Sequence, residues 1–151
     1  MTNIRVRQAV PSDLAALSEL FDEYRQFYGQ PSDLGAAREF LSARTKRGES
    51  TLFIAQVNER AVGFAQLYPS FSSVSMRRTF ILNDLYVRPA ARRKGAAKRL
   101  LESAEAFARS VGAIRLTLST ARTNEHAQAL YITTGWKQDD EFHVFHRAIH
   151  A

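Results

Sequence analysis

The chain has 151 residues, 45% of them hydrophobic and ten of them phenylalanine, enough for one self-sufficient core, so a single domain over residues 1–151 is expected. It has no cysteine, which excludes disulfide frameworks, thiolate metal sites and thiol catalysis. A formal charge of +6 and a pI near 10.1 suit either an enzyme for a phosphorylated ligand or a nucleic-acid binder.

In chain order, residues 4–9 alternate apolar and charged side chains and predict a first strand. Pro11 and Ser12 announce a helix with Ser12 as its N-cap, and Leu14, Leu17, Phe21, Tyr24 and Tyr28 share one face of it up to Gly29. A second helix is expected over 32–45, with Leu34, Ala37 and Leu41 inward, and residues 46–50 as a turn. TLFIAQV (51–57) and AVGFAQLY (61–68) predict two strands around a tight connection, and the serine-rich run 69–78 a loop. Residues 78–87 form a long strand that Pro89 stops. The next helix buries Leu100 or Leu101, Ala104, Phe107 or Ala108, and Val111, and ends at Gly112. Residues 113–120 alternate again as a strand, 124–134 predict a helix closed by Gly135, and 141–149 a last strand.

Strand–helix–strand units require a right-handed crossover between parallel strands, whereas the earlier strands are joined by short turns. The expected fold class is therefore α+β, an α/β three-layer domain with a mixed sheet and helices on both faces. No stretch approaches the ~20 apolar residues of a membrane span, and the first residues lack the apolar core of a signal peptide. A soluble, cytoplasmic protein without membrane association is the expectation.

RRKGAA (92–97) stands between a strand and a helix. The first N–H groups of a helix have no partner within it, and the helix dipole favours negative charge there. Gly95 lets a backbone approach an anion, Ala96 and Ala97 keep the first turn narrow, and Arg92, Arg93, Lys94 and Lys98 add attraction. A phosphate or pyrophosphate site is one reading of this segment; a solvated basic loop with an ordinary turn glycine is the other. It matches neither GxxxxGK[ST] nor GxGxxG.

RxxGxA at Arg92, Gly95 and Ala97, directly after LNDLYVRP, resembles the acetyl-CoA motif of the GNAT superfamily of N-acetyltransferases. Downstream, Asn124, Ala127, Leu130, Tyr131, Gly135 and Trp136 are similar to its second signature, NxxAxxLYxxxGF. The likeness extends over nearly the whole chain. LNDLYV and DDEFHVF look like the branch of polyamine, small-amine and histone acetyltransferases, with Asn83 where that branch has glutamate and Asp84 retained. Losing that carboxylate tells against a strictly polycationic acceptor.

The resemblance implies acetyl-CoA as co-substrate and a GNAT-like, mostly antiparallel sheet with one splayed parallel pair. Backbone N–H groups of Leu85, Tyr86 and Val87 would polarise the thioester and line the pantetheine arm, with Ser119, Asn124 and Ala127 nearby and the pyrophosphate on residues 92–98. Tyr131 would be the general acid, since a phenol can protonate a departing thiolate; spacing alone favours a buried helix aromatic instead, and the motif context reverses that. Asn124 also suits an N-cap. Asp84 would draw in an ammonium or take its proton, or else pair with a nearby arginine. Tyr24, Phe27, Tyr28 and Asn83 would contribute to the acceptor pocket, although Tyr24 and Tyr28 also complete an apolar helix face. His126, His143, His146 and His150 make no convincing metal site, and no metal is expected.

The predicted function is transfer of acetyl from acetyl-CoA to the primary amine of a small molecule such as a polyamine, diamine or amino acid. Lysine in a protein or peptide is the alternative acceptor, and a non-catalytic acyl-CoA-binding module the alternative class. A homodimer is expected from the family, through residues 141–149. The scattered basic clusters and the lack of a basic aromatic platform tell against nucleic acid.

Overall fold

A computed structural model of the chain describes residues 3–150. They form strands β1 (Ile4–Gln8), β2 (Thr51–Val57), β3 (Arg60–Ser72), β4 (Arg77–Val87) and β5 (Leu116–Thr117), and helices α1 (Leu14–Phe27), α2 (Leu34–Lys46), α3 (Ala96–Ser110) and α4 (Glu125–Thr133). The sheet order is β1-β2-β3-β4-β5, antiparallel except for the parallel β4–β5 pair. The chain divides into two compact units, one running to Ser119 and one beginning at Thr120.

In the first unit, helices cover both faces of the sheet. Leu17, Leu20 and Phe21 of α1 and Ala37 and Leu41 of α2 close over Leu52, Ile54, Phe64 and Tyr86. On the opposite face Phe107 of α3 meets the rings of Phe53 and Phe80, at 5.7 and 5.5 Å between centroids. Burying these side chains contributes roughly 1.5–3 kcal/mol each relative to exposure. Arg99 of α3 donates to the carbonyl of Ile4 and ties that helix to the edge strand.

Several expectations need correction. Ser12 is not the cap of the first helix: Pro11–Asp13 is a 3-10 turn, and Asp13 accepts from Val10 N–H at 2.7 Å and from Arg7 at 2.7 and 2.8 Å. The serine-rich run is not a loop but continues β3 to Ser72, with β4 resuming at Arg77. Cross-strand pairing carries it, and the Arg78 guanidinium lies over the rings of Phe71 and Phe80. Leu34 and Val111 are 48% and 46% exposed rather than inward, Leu34 being the first residue of α2 and Val111 the cap just past the end of α3. Of the strand expected over 113–120 only Leu116 and Thr117 form regular strand, although Ile114 N–H donates to the Arg78 carbonyl at 2.9 Å and Phe80 N–H to that of Arg115 at 3.0 Å.

In the second unit α4 forms within the expected bounds. Asn124 caps it by accepting from Ala127 N–H at 3.2 Å, and Gly135 follows with φ of +97°. Residues 141–149 form no strand, and Phe142, Val144, Phe145 and Ile149 are exposed. Alternation alone does not make a strand without a partner ladder.

Candidate active site

The site begins with one extra residue in β4. Gln66 lies opposite Asp84 and Leu67 opposite Leu82, so Asn83 is unmatched, a β-bulge. Side chains in a strand alternate between faces, so positions 80, 82, 84 and 86 would ordinarily share one. Phe80 packs on α3, whereas Tyr86 belongs to the cluster under α1 and α2. The bulge makes that reversal and turns Asp84 toward α1.

Asp84 is 5% exposed. Its Oδ2 accepts from Gln66 Nε2 at 2.7 Å and its Oδ1 from Asn83 Nδ2 at 3.0 Å, and Gln66 Oε1 accepts from Ser50 Oγ at 2.6 Å. The donors on the carboxylate are neutral amides. Burial, then the Asp84 charge, pushes the Tyr68 phenol up to about 12 and raises that of Tyr24 further, so both keep their protons at neutral pH. The Tyr24 hydroxyl reaches the carbonyl of Asn83 at 3.5 Å. Its ring sits among those of Phe64, Tyr86 and Tyr28 at 5.7, 6.2 and 5.1 Å.

The end of α1 is held to β4. Glu23 accepts from Tyr86 OH at 3.2 Å and from Arg88 Nη2 at 2.8 Å, while Arg88 Nη1 donates to the Ala61 carbonyl at 3.0 Å. Phe27 and Tyr28 are more than half exposed just beyond this lock. The Arg92 guanidinium stands 5.7 Å from the Phe27 ring centroid and 5.8 Å from that of Tyr86. Tyr24, Phe27, Tyr28, Asn83, Asp84, Tyr86 and Arg92 are therefore brought together.

Beyond the bulge, Arg88 N–H donates to Val62 at 2.8 Å, so alternation sends the N–H groups of Leu85 and Val87 to the far edge of β4. The parallel ladder with β5 covers only Phe80 and Ile81. On that edge the Val87 carbonyl accepts from Arg92 Nε at 2.8 Å, which anchors the basic loop against the strand. Arg93 and Gly95 have φ of +63° and +88°. α3 starts at Gly95 with no side-chain cap, whereas Asp33 and Asn124 cap α2 and α4. The loop fits a phosphate: uncapped first-turn N–H groups, with Arg92, Arg93, Lys94 and Lys98 exposed around them. Ala96 is buried and Ala97 partly so. Ser119 is exposed, beyond the last paired residue of β5.

In the second unit Tyr131 lies on α4, its ring 6.1 Å from that of Trp136 and its carbonyl accepting Trp136 N–H at 2.9 Å. Asn124 and Ala127 form the cap at the start of the same helix. The residues that sequence reasoning overlooked are Ser50, Gln66, Tyr68, Glu23 and Arg88. Gln66 had a signal, a polar residue inside the apolar run AVGFAQLY, which Tyr68 ends; Ser50 was legible only as part of a turn, and Glu23 and Arg88 carried no signal of their partners.

Residues 15–136 match the "Acetyltransferase (GNAT) family". The chain is 50% identical over 139 residues to an uncharacterized N-acetyltransferase, YhfO, of Bacillus subtilis, covering 92% of this chain and 93% of the relative. It is 28% identical to a D-amino-acid N-acetyltransferase of Saccharomyces cerevisiae, over 90% and 86% of the two chains. A crystal structure of a probable acetyltransferase, 42% identical, superposes with a TM-score of 0.92 over 97% of this chain and 99% of the other.

Proposed function

The chain belongs to the acetyltransferase (GNAT) family and is an N-acetyltransferase, and from that premise we propose that it moves the acetyl group of acetyl-CoA onto the primary amine of a small molecule, by direct attack. The observation that carries the acceptor reading is Asp84, a buried carboxylate held by the neutral amides of Gln66 and Asn83, with the neutral Tyr24 hydroxyl beside it. Of the other buried carboxylates among the described residues, Asp13 is paired with Arg7, while Asp22 is held by the Ser32 hydroxyl, the Asp33 N–H and the Gln26 amide, with the charge of Arg25 acting on it. A buried negative charge without a cation is costly, and an ammonium substrate supplies that cation. Tyr24 and the exposed Phe27 and Tyr28 suit the apolar body of a small amine. One such carboxylate, with Asn83 beside it, favours a single ammonium over a polycation. The yeast relative is named for amino-acid acceptors, which supports a small acceptor.

In the reaction the free amine nitrogen attacks the thioester carbonyl carbon. The C–N bond forms, the C–S bond breaks, and the N–H groups of Leu85 and Val87 stabilise the charge on the carbonyl oxygen. CoA departs as thiolate and takes a proton from the Tyr131 phenol, and the surplus amine proton leaves toward Asp84 through water. Residues 92–98 hold the pyrophosphate.

Free-thiol release from acetyl-CoA, measured against spermidine, putrescine, single amino acids, aminoglycosides and a lysine-rich peptide, tests this reading. A chain without cysteine adds no thiol background. Turnover with a single amino acid is expected; turnover with the peptide alone overturns the small-molecule assignment. Acetyl-CoA binding without turnover on any amine moves the reading to a non-catalytic module.

A further inference from the structure

Gln66 sits in the middle of β3, fully buried between Ala65 and Leu67, which are themselves at 0% exposure. An amide in such a position is destabilising unless both of its ends are paired, and an apolar side chain of similar volume would serve the core better. Both ends are paired here, and in a fixed sense. The Ser50 hydroxyl donates to Oε1, which leaves the NH₂ group facing Asp84 Oδ2. Gln66 is also the last residue in register before the bulge, opposite Asp84 itself. Asn83, the bulged residue, holds the other carboxylate oxygen. The carboxylate is thus clamped from two sides, with the Tyr24 hydroxyl, 3.5 Å from the Asn83 carbonyl, as its further polar neighbour.

We propose that Gln66, oriented by Ser50, is a positioning residue that fixes the Asp84 carboxylate for the acceptor amine. It acts on the acceptor through Asp84 and has no part in binding acetyl-CoA. The inference rests on the reading of Asp84 as the ammonium partner.

The test compares Gln66→Met, Ser50→Ala, Asp84→Asn and the double variant Gln66→Met/Asp84→Asn. Acceptor kinetics are read with the fastest amine of the panel above, alongside acetyl-CoA KM and thermal melts. Gln66→Met, close in volume and apolar, is expected to raise the acceptor KM about tenfold with the acetyl-CoA KM within about twofold, the loss of one hydrogen bond to a charged group. Ser50→Ala, which frees the Gln66 amide to turn, gives a change of about threefold in the same sense. The double variant is no worse than Asp84→Asn alone, because Gln66 has nothing left to position. Multiplying effects in the double variant overturn the proposal. So does a Gln66→Met whose two KM values move together, or whose acceptor kcat/KM stays at the wild-type level. If Gln66→Met does not fold, Ser50→Ala decides: an unchanged acceptor KM overturns the proposal. Unaltered acceptor kinetics in Asp84→Asn overturn the Asp84 reading as well, whereas a damaged Asp84→Asn with a silent Gln66→Met removes this inference alone.

Discussion

Tyr131 and Asp84 divide the proposed proton traffic between them, and each has a distinct kinetic signature. Tyr131→Phe removes the acid and leaves the ring, so kcat falls about 10²- to 10⁴-fold while the acetyl-CoA KM stays within about twofold, read by thiol release. Asp84→Asn keeps the shape and removes the charge. Its acceptor kcat/KM falls about 10- to 100-fold, the magnitude of a charge-assisted hydrogen bond. The place of Tyr131 on a helix was legible because it stands inside a spaced motif, AxxLY after Asn124. Asp84 was legible as a carboxylate at a strand position, but its face was not. Strict alternation would have set it with Phe80, toward α3, and the extra residue at Asn83 reverses that.

Secondary elements meet at two narrow points, and both are sensitive. Gly63 lies opposite Val87, and a β-carbon added there would stand 2.7 Å from the Tyr86 carbonyl oxygen. That neighbour is backbone and cannot yield cheaply. Gly63→Ala therefore lowers stability by about 1–3 kcal/mol and displaces residues 85–87, which a thermal melt and the acetyl-CoA KM together detect. The second point is the Glu23–Arg88 pair, bidentate but with Glu23 about a third exposed. After solvent screening Glu23→Ala costs about 1 kcal/mol, and its larger effect is on the acceptor KM, because Glu23 holds the helix that carries Tyr24. α1 and α3 were legible from their 3.6-residue periodicity, and α4 from its capping Asn124 and closing Gly135. The extension of β3 through Ser72 was not, since serine carries no strand signal and cross-strand pairing decides it.

For the molecule as a whole, charge sets the response to pH and salt. Asp13, beside Arg7, and Asp22, held by Ser32 and Asp33 N–H, lie below the usual carboxylate range in the folded chain. Their contribution is complete above the unfolded value near 3.8 and disappears as pH falls through the lower folded values. Tyr68, at about 12 when folded against 10 in the open chain, binds its proton more tightly in the folded state. The stability it lends is present below pH 10 and declines as pH rises toward 12. Thermal melts across pH should show both flanks, and Tyr68→Phe should soften the alkaline one. With exposed Arg92, Arg93, Lys94 and Lys98 on one loop, the acetyl-CoA KM rises with ionic strength, measurable by titrating salt in the thiol assay.

By itself the sequence determined the helices, most of the sheet, the basic loop ahead of α3 and the family, because periodicity and spaced motifs are local properties that one chain carries in its order of residues. Tertiary structure alone decided which face Asp84 takes, that Ser50 and Gln66 clamp it, and that Glu23 and Arg88 bind α1 to β4. Those outcomes depend on strand register and on partners 16 to 65 residues apart. A single unmatched residue in a ladder reverses the face of Asp84, and no local pattern in the sequence marks it.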